Sequence, residues 1–421
     1  MAYVLLGKLY YGDQAVYAKE YQGRFSSEEA VKPDFSVAGH PAFFLLNGEV
    51  MGKVYAITKL NQAVVKLSEA LPGIAKQQYS RKCLIDEIVL TNRIEGVHSS
   101  RKEIGDALDV LEQQSAKKGK RQRFVGLVNK YLKLMTHAEI PLRTCRDIRA
   151  IYDEVFLEEI RAEDPKNLPD GEIFRKDLTE IRSETDRVIH KGMYPEREII
   201  AAMEKALAFL NDEGVDRLVR VCIFHYMLEY IHPFYDGNGR LGRLILSYCI
   251  AGELEPLLAY RISETVKENI KDYYKAFQVC NDPHGLGDLT PFLLMMLDMI
   301  HAALAELKES LTQKLFRWGQ YAGTALKLAA GEVADVRKMY NILIQAALFS
   351  EKGISTRELE GIFGSYYLTK KNLGKIRPEL LRAEKKGKVM YYELDLDALD
   401  GMLLQDGMIT IHTSLTGRGY Q

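Results

Sequence analysis

Residues 232–243 read His232-Pro233-Phe234-Tyr235-Asp236-Gly237-Asn238-Gly239-Arg240-Leu241-Gly242-Arg243. An imidazole titrates near neutrality and can take a proton during a reaction. Gly237 and Gly239 open backbone conformations closed to other residues and let a ligand approach the main chain. Free N–H groups leading into a helix start form a nest for anions. Arg240 and Arg243 stand three apart, on one face of that helix, and arginine suits bidentate phosphate contacts. Asp236 is a hard oxygen ligand beside the phosphates, fit for a Mg²⁺ that keeps most of its waters. Together these groups are suited to holding a polyphosphate and a metal ion while a base deprotonates an attacking group.

The flanking sequence says how these side chains are positioned. Residues 215–231 have helical periodicity, with Leu218, Val221, Cys222, Phe224, Met227, Leu228 and Ile231 on the buried side. Pro233 disfavours helical geometry at the residue before it, so this helix stops at about His232 and the imidazole projects into the loop. A second helix is expected to begin near Gly239 and run through Leu241, Leu244, Ile245 and Tyr248. A third, over 199–210, leads into the base-bearing one.

These residues resemble the Fic family, whose signature is His-x-Phe-x-Asp/Glu-Gly-Asn-Gly-Arg-x-x-Arg; every fixed position is met. The resemblance implies transfer of AMP from ATP to a hydroxyl of a target protein, with release of pyrophosphate. It makes His232 the general base and Asp236 the holder of Mg²⁺ across the α- and β-phosphates. It assigns Gly237, Asn238 and Gly239, including the Asn238 side chain, to stabilising phosphate charge. Arg240 would meet the β-phosphate and Arg243 the γ-phosphate. Phe234 reads as a core anchor for the loop. Gly239 argues against the subfamily that carries lysine there and transfers the γ-phosphate instead.

Thr91-Asn92-Arg93-Ile94-Glu95-Gly96 fits the family's inhibitory pattern, Ser/Thr-x-x-x-Glu-Gly/Asn, at the end of an apolar helical run. Thr91 and Glu95 share a face, and Gly96 is a left-handed helix stop. The resemblance implies that Glu95 pairs with Arg243 in the place of the γ-phosphate, the arrangement of family members with an N-terminal inhibitory helix. Thr356-Arg357-Glu358-Leu359-Glu360-Gly361 fits the same short pattern. Glu95 is preferred because it lies upstream of the core on a strongly apolar helix.

Residues 171–175 and 187–195 resemble the family's hairpin flap, where an extended target segment docks by main-chain hydrogen bonds. Val188 and Ile189 suit a strand and Gly192 a turn; His190 and Lys191 complete the docking set, with His190 an exposed hairpin residue. After the main motif, Tyr274 is a candidate neighbour of the adenine, with a core or rim position at helical spacing as the alternative.

The fold class is mainly α: a Fic-type helical core with a small β-hairpin flap, an α/β N-terminal extension and a C-terminal winged-helix-like module. The expected divisions are 1–73 for the extension, 74–318 for the core with the inhibitory helix at about 82–96, and 324–421 for the last module. In the extension, strand-like runs at 3–6 and 42–46 precede a helix near 54–71. The last module reads as helices over 336–349, 355–363 and 369–385, the third interrupted by Pro378, then a strand over 389–394. Lys370, Lys371, Lys375 and Arg377 could make the third helix a DNA reader. Glu351, Glu358, Glu360, Glu379 and Glu384 offset them, which favours protein docking or dimer support over DNA. The basic run at 117–123 lacks interleaved aromatics and reads as a solvated loop.

A net charge of -1 over 421 residues gives no global pull toward nucleic acid or anionic membrane. No apolar stretch reads as membrane-spanning, and no signal peptide is evident. Cys83, Cys145, Cys222, Cys249 and Cys280 are odd in number and widely spaced, which implies free thiols in a reducing cytoplasm. The expected reading is therefore a cytoplasmic protein adenylyltransferase restrained by Glu95. It uses ATP and Mg²⁺ and acts on a Ser, Thr or Tyr of a target protein or of itself, with room for a homodimer. Two alternatives stand beside it: removal of AMP or transfer of another nucleotidyl or phospho group at the same site, and an ATP-sensing regulator that binds DNA through the C-terminal module.

Overall fold

The computed structural model describes residues 3–112, 123–135, 140–182, 188–386 and 389–405. Residues 117–122 of the basic run lie outside them. The described chain is mainly helical, with three two-stranded sheets and one of three strands. It divides into two compact units, Met1–Lys66 with Cys83–Glu309, and Leu67–Lys82 with Ser310–Gln421. These boundaries differ from those expected at 73 and 318–324. The Gly73–Ile94 and Thr290–Leu328 helices each contribute residues to both units, so hydrophobic patterning along the chain shows no break there.

The N-terminal segment belongs to the first unit, tied to the core through main-chain bonds. Phe43 N–H donates to the Gly287 carbonyl (2.9 Å) and Leu289 N–H to the Phe43 carbonyl (2.7 Å). Asp288 beside them is buried and takes the Tyr3 hydroxyl (2.6 Å) and the Arg24 guanidinium (3.1 Å). Residues 3–6 are not a strand: a helix starts at Leu6, and a second, Gln14–Phe25, follows with Asp13 capping the Ala15 and Val16 amides. Of the other run, Phe44–Leu45 pairs antiparallel with Ala30–Val31. The expected helix near 54–71 runs from Gly48 to Glu69.

The centre of this unit is the Arg217–Ile231 helix, packed between Glu196–Leu210 and Asn238–Glu253. Asp216 caps it by accepting the Leu218 and Val219 amides. Residues 218–228 are all buried, so the helix presents no wholly polar face. Full burial of each large apolar side chain here contributes about 1.5–3 kcal/mol. The Thr290–Leu328 helix is long and apolar enough, by length and composition, to cross a membrane, against expectation. Its Leu293, Leu297, Ile300, Leu304, Leu307 and Leu311 are buried at core-helix spacing within this structure. All five cysteines are buried free thiols.

In the second unit, Ala334–Phe349 is followed by strand Ile354–Ser355 and helices Thr356–Phe363 and Tyr366–Leu373. Ser355 and Glu358 form a capping box, and Gly364 at φ +83° ends the first short helix. The expected helix over 369–385 is overturned. It stops at Leu373, Pro378 opens a single 3₁₀ turn, and Leu381–Lys386 is a strand. That strand pairs with Val389–Leu394, which also carries Ile354–Ser355 on its other edge. Helix Leu396–Gln405 closes the described chain.

Candidate active site

The base-bearing helix ends at Ile231, and His232 follows in the left-handed region (φ 53°, ψ 64°). This conformation is uncommon for a non-glycine residue and is held by its surroundings. The His232 N–H still donates to the Leu228 carbonyl (3.0 Å). Its own carbonyl accepts from Nε of Arg175 (2.9 Å), and the Pro233 carbonyl takes the Arg175 amide (3.2 Å). Arg175 is fully buried and also donates to the Met193 carbonyl (2.7 Å) and to the Asp177 carbonyl. The imidazole Nδ1 is enclosed, and a backbone hydrogen bond at Glu229 is the one effect on the ring that opposes burial. Burial, with His190 and Arg175 nearby, pulls the His232 pKa down to about 3, so the ring is neutral at physiological pH.

The loop that follows is anchored as the sequence implies. Phe234 is fully buried, stacked on Tyr152 at 3.6 Å between centroids and edge-on to Phe174. Asn238 accepts the Phe234 amide (2.9 Å) and donates to its carbonyl (2.8 Å). Its side chain therefore clamps the loop, a different engagement from the phosphate contact expected of it. Asp236 is half-buried; one carboxylate oxygen takes the Gly237 amide at 2.5 Å, while Tyr152 donates to its main-chain carbonyl. Gly237 at φ +82° turns the chain into the Asn238–Glu253 helix, one residue earlier than expected.

The two arginines are both buried but differently engaged. Arg240 is completely covered, with Nη1 on Glu159 (2.8 Å), its guanidinium over the Phe156 ring, and Nε and Nη2 without partners. Arg243 donates from Nε to the Thr91 hydroxyl (2.9 Å) and from Nη2 to the Thr91 carbonyl (3.1 Å) and Glu95 (2.8 Å). Gly96 has the left-handed φ (+72°) that ends the Gly73–Ile94 helix. A Cβ at Gly239 would stand 2.3 Å from the Glu95 carboxylate, so the missing side chain makes room for that carboxylate over the helix start. The other match to the short pattern lies in the Thr356–Phe363 helix, where Glu358 serves in the capping box.

Around Arg243 lie Glu229 and Glu87, which sequence reading did not single out, and Tyr274, which it did. Glu229, one turn before His232, has a buried carboxyl oxygen with no partner; burial pushes its pKa up to about 8, opposed by Arg243. Glu87, one turn before Thr91, is fully buried and accepts from Ser263 N–H (2.8 Å), Ser263 Oγ (2.6 Å) and Tyr131 (3.3 Å). Tyr274 lies on the rim, 45% exposed, with Glu95 and Arg243 among the charges acting on its phenol.

The region expected to form a flap is a hairpin: its second strand carries Val188 and Ile189 as expected, while its first strand lies elsewhere than at 171–175. Glu180–Arg182 pairs with Val188–Lys191, Ile181 opposite His190, with an irregularity after Ile181. Residues 171–175 are a bend instead, fixed by Glu196 accepting the amides of Glu172, Ile173 and Phe174. Gly192 is not the hairpin turn. It lies beyond the second strand, where a Cβ would come 2.4 Å from Arg175 and 3.1 Å from His232, so glycine permits close packing against His232. His190 is not an exposed hairpin residue: it is half-buried, with Nε2 on the Tyr230 carbonyl (2.7 Å), and burial lowers its pKa. The roles of Arg175, Glu159 and Glu196 were missed because each meets a partner 18 or more positions away, and a lone charged residue carries no periodic signal.

Comparison with known proteins agrees with this geometry. Residues 143–250, which span the base helix, the loop and most of the helix after it, match the Fic/DOC family. This is a Fic/DOC segment. The chain is 34% identical over 98 residues to Protein adenylyltransferase fic-1 of Caenorhabditis elegans, covering 23% of this chain and 18% of that protein. It is 49% identical over 37 residues to a probable protein adenylyltransferase of Aquifex aeolicus, covering 9% and 12%. The chain thus matches less than a fifth of the length of either relative. A Fic family protein from Desulfovibrio desulfuricans superposes with a TM-score of 0.47 at 22% identity, over 81% of this chain and 96% of that one.

Proposed function

We propose that this Fic/DOC protein is an adenylyltransferase that moves AMP from ATP to a hydroxyl side chain of a target protein, and that Glu95 holds it off. The observation that carries the reading is the contact of Arg243 with both Thr91 and Glu95, next to a neutral imidazole on the same loop. Similarity to named adenylyltransferases over the segment bearing His232 supports the same class.

In the proposed reaction, neutral His232 accepts the proton of the target hydroxyl. That oxygen bonds to the α-phosphorus of ATP, the bond to the bridging oxygen breaks, and pyrophosphate leaves. Burial alone makes His232 a weak base; a triphosphate beside it brings negative charge that raises its proton affinity. The amides of Asn238 and Gly239, and that of Gly237 once Asp236 releases it, would face the anion at the helix start. Arg240, with two donors unpartnered, and Arg243, once released by Glu95, bind the outer phosphates. The residues present fit a Mg²⁺ ion, which would be held by Asp236 and phosphate oxygens and would offset developing charge on the leaving pyrophosphate. Val188, Ile189, His190, Lys191 and Gly192 would border the target segment along this strand, and Tyr274 the base of the nucleotide.

The Gly73–Ile94 helix with Glu95 just beyond it supports the subclass with an N-terminal inhibitory segment, and the helix–strand–helix–helix–strand–strand order over 334–394 supports the winged-helix reading. The discriminating experiment incubates the chain with α- or γ-labelled ATP. Label retained on protein from the α position alone, and lost in His232→Ala, is the expected result. Retention of γ-label points to phosphoryl transfer and sinks the proposal.

A further inference from the structure

The Tyr366–Leu373 helix and the adjoining hairpin of the second unit form a cationic, aromatic surface that the proposed chemistry leaves unused. Residues 365–386 contain seven Lys or Arg and two Glu, a net of +5 within a chain whose total is -1. On the helix, Thr369, Asn372 and Leu373 are buried, while Tyr366 and Tyr367 are 58% and 72% exposed and Lys370 and Lys371 are also exposed. Lys375, Arg377 and Lys385 continue the exposed cations onto the following turn and the first hairpin strand. Lys370 joins helix to hairpin: its Nζ lies 3.2 Å from the Tyr392 hydroxyl and 5.7 Å over both the Tyr366 and Tyr392 rings.

The acidic residues that argue against a nucleic-acid partner by composition do not all oppose these cations. Glu358 is engaged in the capping box with Ser355, at the far end of the preceding helix. Glu384 pairs with Lys386 on its own strand. Asp395 and Asp397 pair with Arg382 and leave the helix face alone.

We infer that this face docks duplex DNA, with the first turn of the Tyr366–Leu373 helix in the major groove and the hairpin cations on the flanking phosphates. The helix follows Thr356–Phe363 after a two-residue turn at Gly364 and Ser365, the geometry in which a second helix is presented outward. Tyr366 and Tyr367 offer hydroxyl donors and ring faces to base edges and methyl groups. Lys371, Lys375, Arg377 and Lys385 are the phosphate contacts, about four in number, so binding falls with salt at a slope of about -3.6 in log–log form.

Fluorescence anisotropy of the full chain with a labelled mixed-sequence duplex of about 30 bp tests this, from about 50 to 300 mM salt. Micromolar binding at low salt with that slope is the expected result. The Lys371→Glu/Lys375→Glu double variant weakens binding at least about tenfold and flattens the slope by about 2. Tyr366→Ala/Tyr367→Ala weakens binding with an unchanged thermal midpoint, since both rings are exposed. No binding at low salt, binding indifferent to salt, or wild-type binding by the charge-reversed variant overturns the inference. So does cross-linking of these tyrosines to a protein partner by a chain that does not bind the duplex.

Discussion

Replacing Glu95 is the sharpest perturbation of this site. Its carboxylate lies 2.8 Å from Nη2 of Arg243, whose side chain is 2% exposed, while the Glu95 side chain remains 32% exposed. With charge centres about 4 Å apart and an effective dielectric of about 20, Coulomb attraction amounts to about 4 kcal/mol. Screening of the one-third exposed carboxylate and the desolvation of both partners reduce this to a net of about 1–2 kcal/mol. A triphosphate that must displace Glu95 from Arg243 works against that amount, which is a factor of about 5–30 in an equilibrium constant. Glu95→Gly, which also clears the space over Gly239, is therefore expected to raise the initial rate of AMP incorporation by about that factor at subsaturating ATP. Glu95→Gln, which keeps a neutral acceptor, should lie between the two. The assay is transfer of α-labelled AMP to the chain itself or to lysate proteins, run beside an ATP-binding isotherm. An unchanged rate in Glu95→Gly, with ATP still bound, would refute the reasoning, because the pair would then be no barrier to the productive pose.

The remaining predictions concern the supports of the site. Glu159→Gln leaves buried Arg240 without its anionic partner, so unfolding stability should fall by about 3 kcal/mol or more in the absence of nucleotide; ATP should raise the melting temperature of this variant more than that of the wild type, and equal shifts would exclude Arg240 from the phosphate site. His225 and His232 both have folded pKa values near 3, lowered first by burial. The unfolded chain then binds more protons between about pH 3 and 6.5, so their contribution to stability is present above that window and is lost as pH falls through it. His225→Gln should accordingly show a shallower loss of melting temperature on acidification than the wild type, and an identical slope would show that His225 titrates normally.

Much of the candidate site loop is legible in the sequence because its chemistry is local. An imidazole, a carboxylate, two glycines and two arginines within one stretch suit phosphate binding whatever surrounds them, and Pro233 alone nearly fixes the end of the preceding helix. The long apolar helices can be read for the same reason, since their periodicity repeats within the segment. Short elements are harder. Residues 3–6 and 369–385 depart from expectation because a strand or helix of a few turns is decided by its partners, here the Leu6–Tyr10 turn and the pairing of Leu381–Lys386 with Val389–Leu394. The flap lies in the expected region with a different first strand, since Glu196 ties residues 172–174 into a bend by bonds that no local pattern announces.

What the sequence determined by itself was the inventory of the site: which groups can take a proton, hold a metal or bind phosphate, and that Thr91 and Glu95 share one helical face. Tertiary structure decided their protonation and their partners. His232 is neutral because folding buries it beside Arg175 and His190, and Asn238 is occupied by Phe234. Arg240 meets Glu159 from 81 positions away, and Arg243 meets Thr91 from 152. Such contacts depend on desolvation and on distances set by packing, and neither is a property of neighbouring residues along a chain.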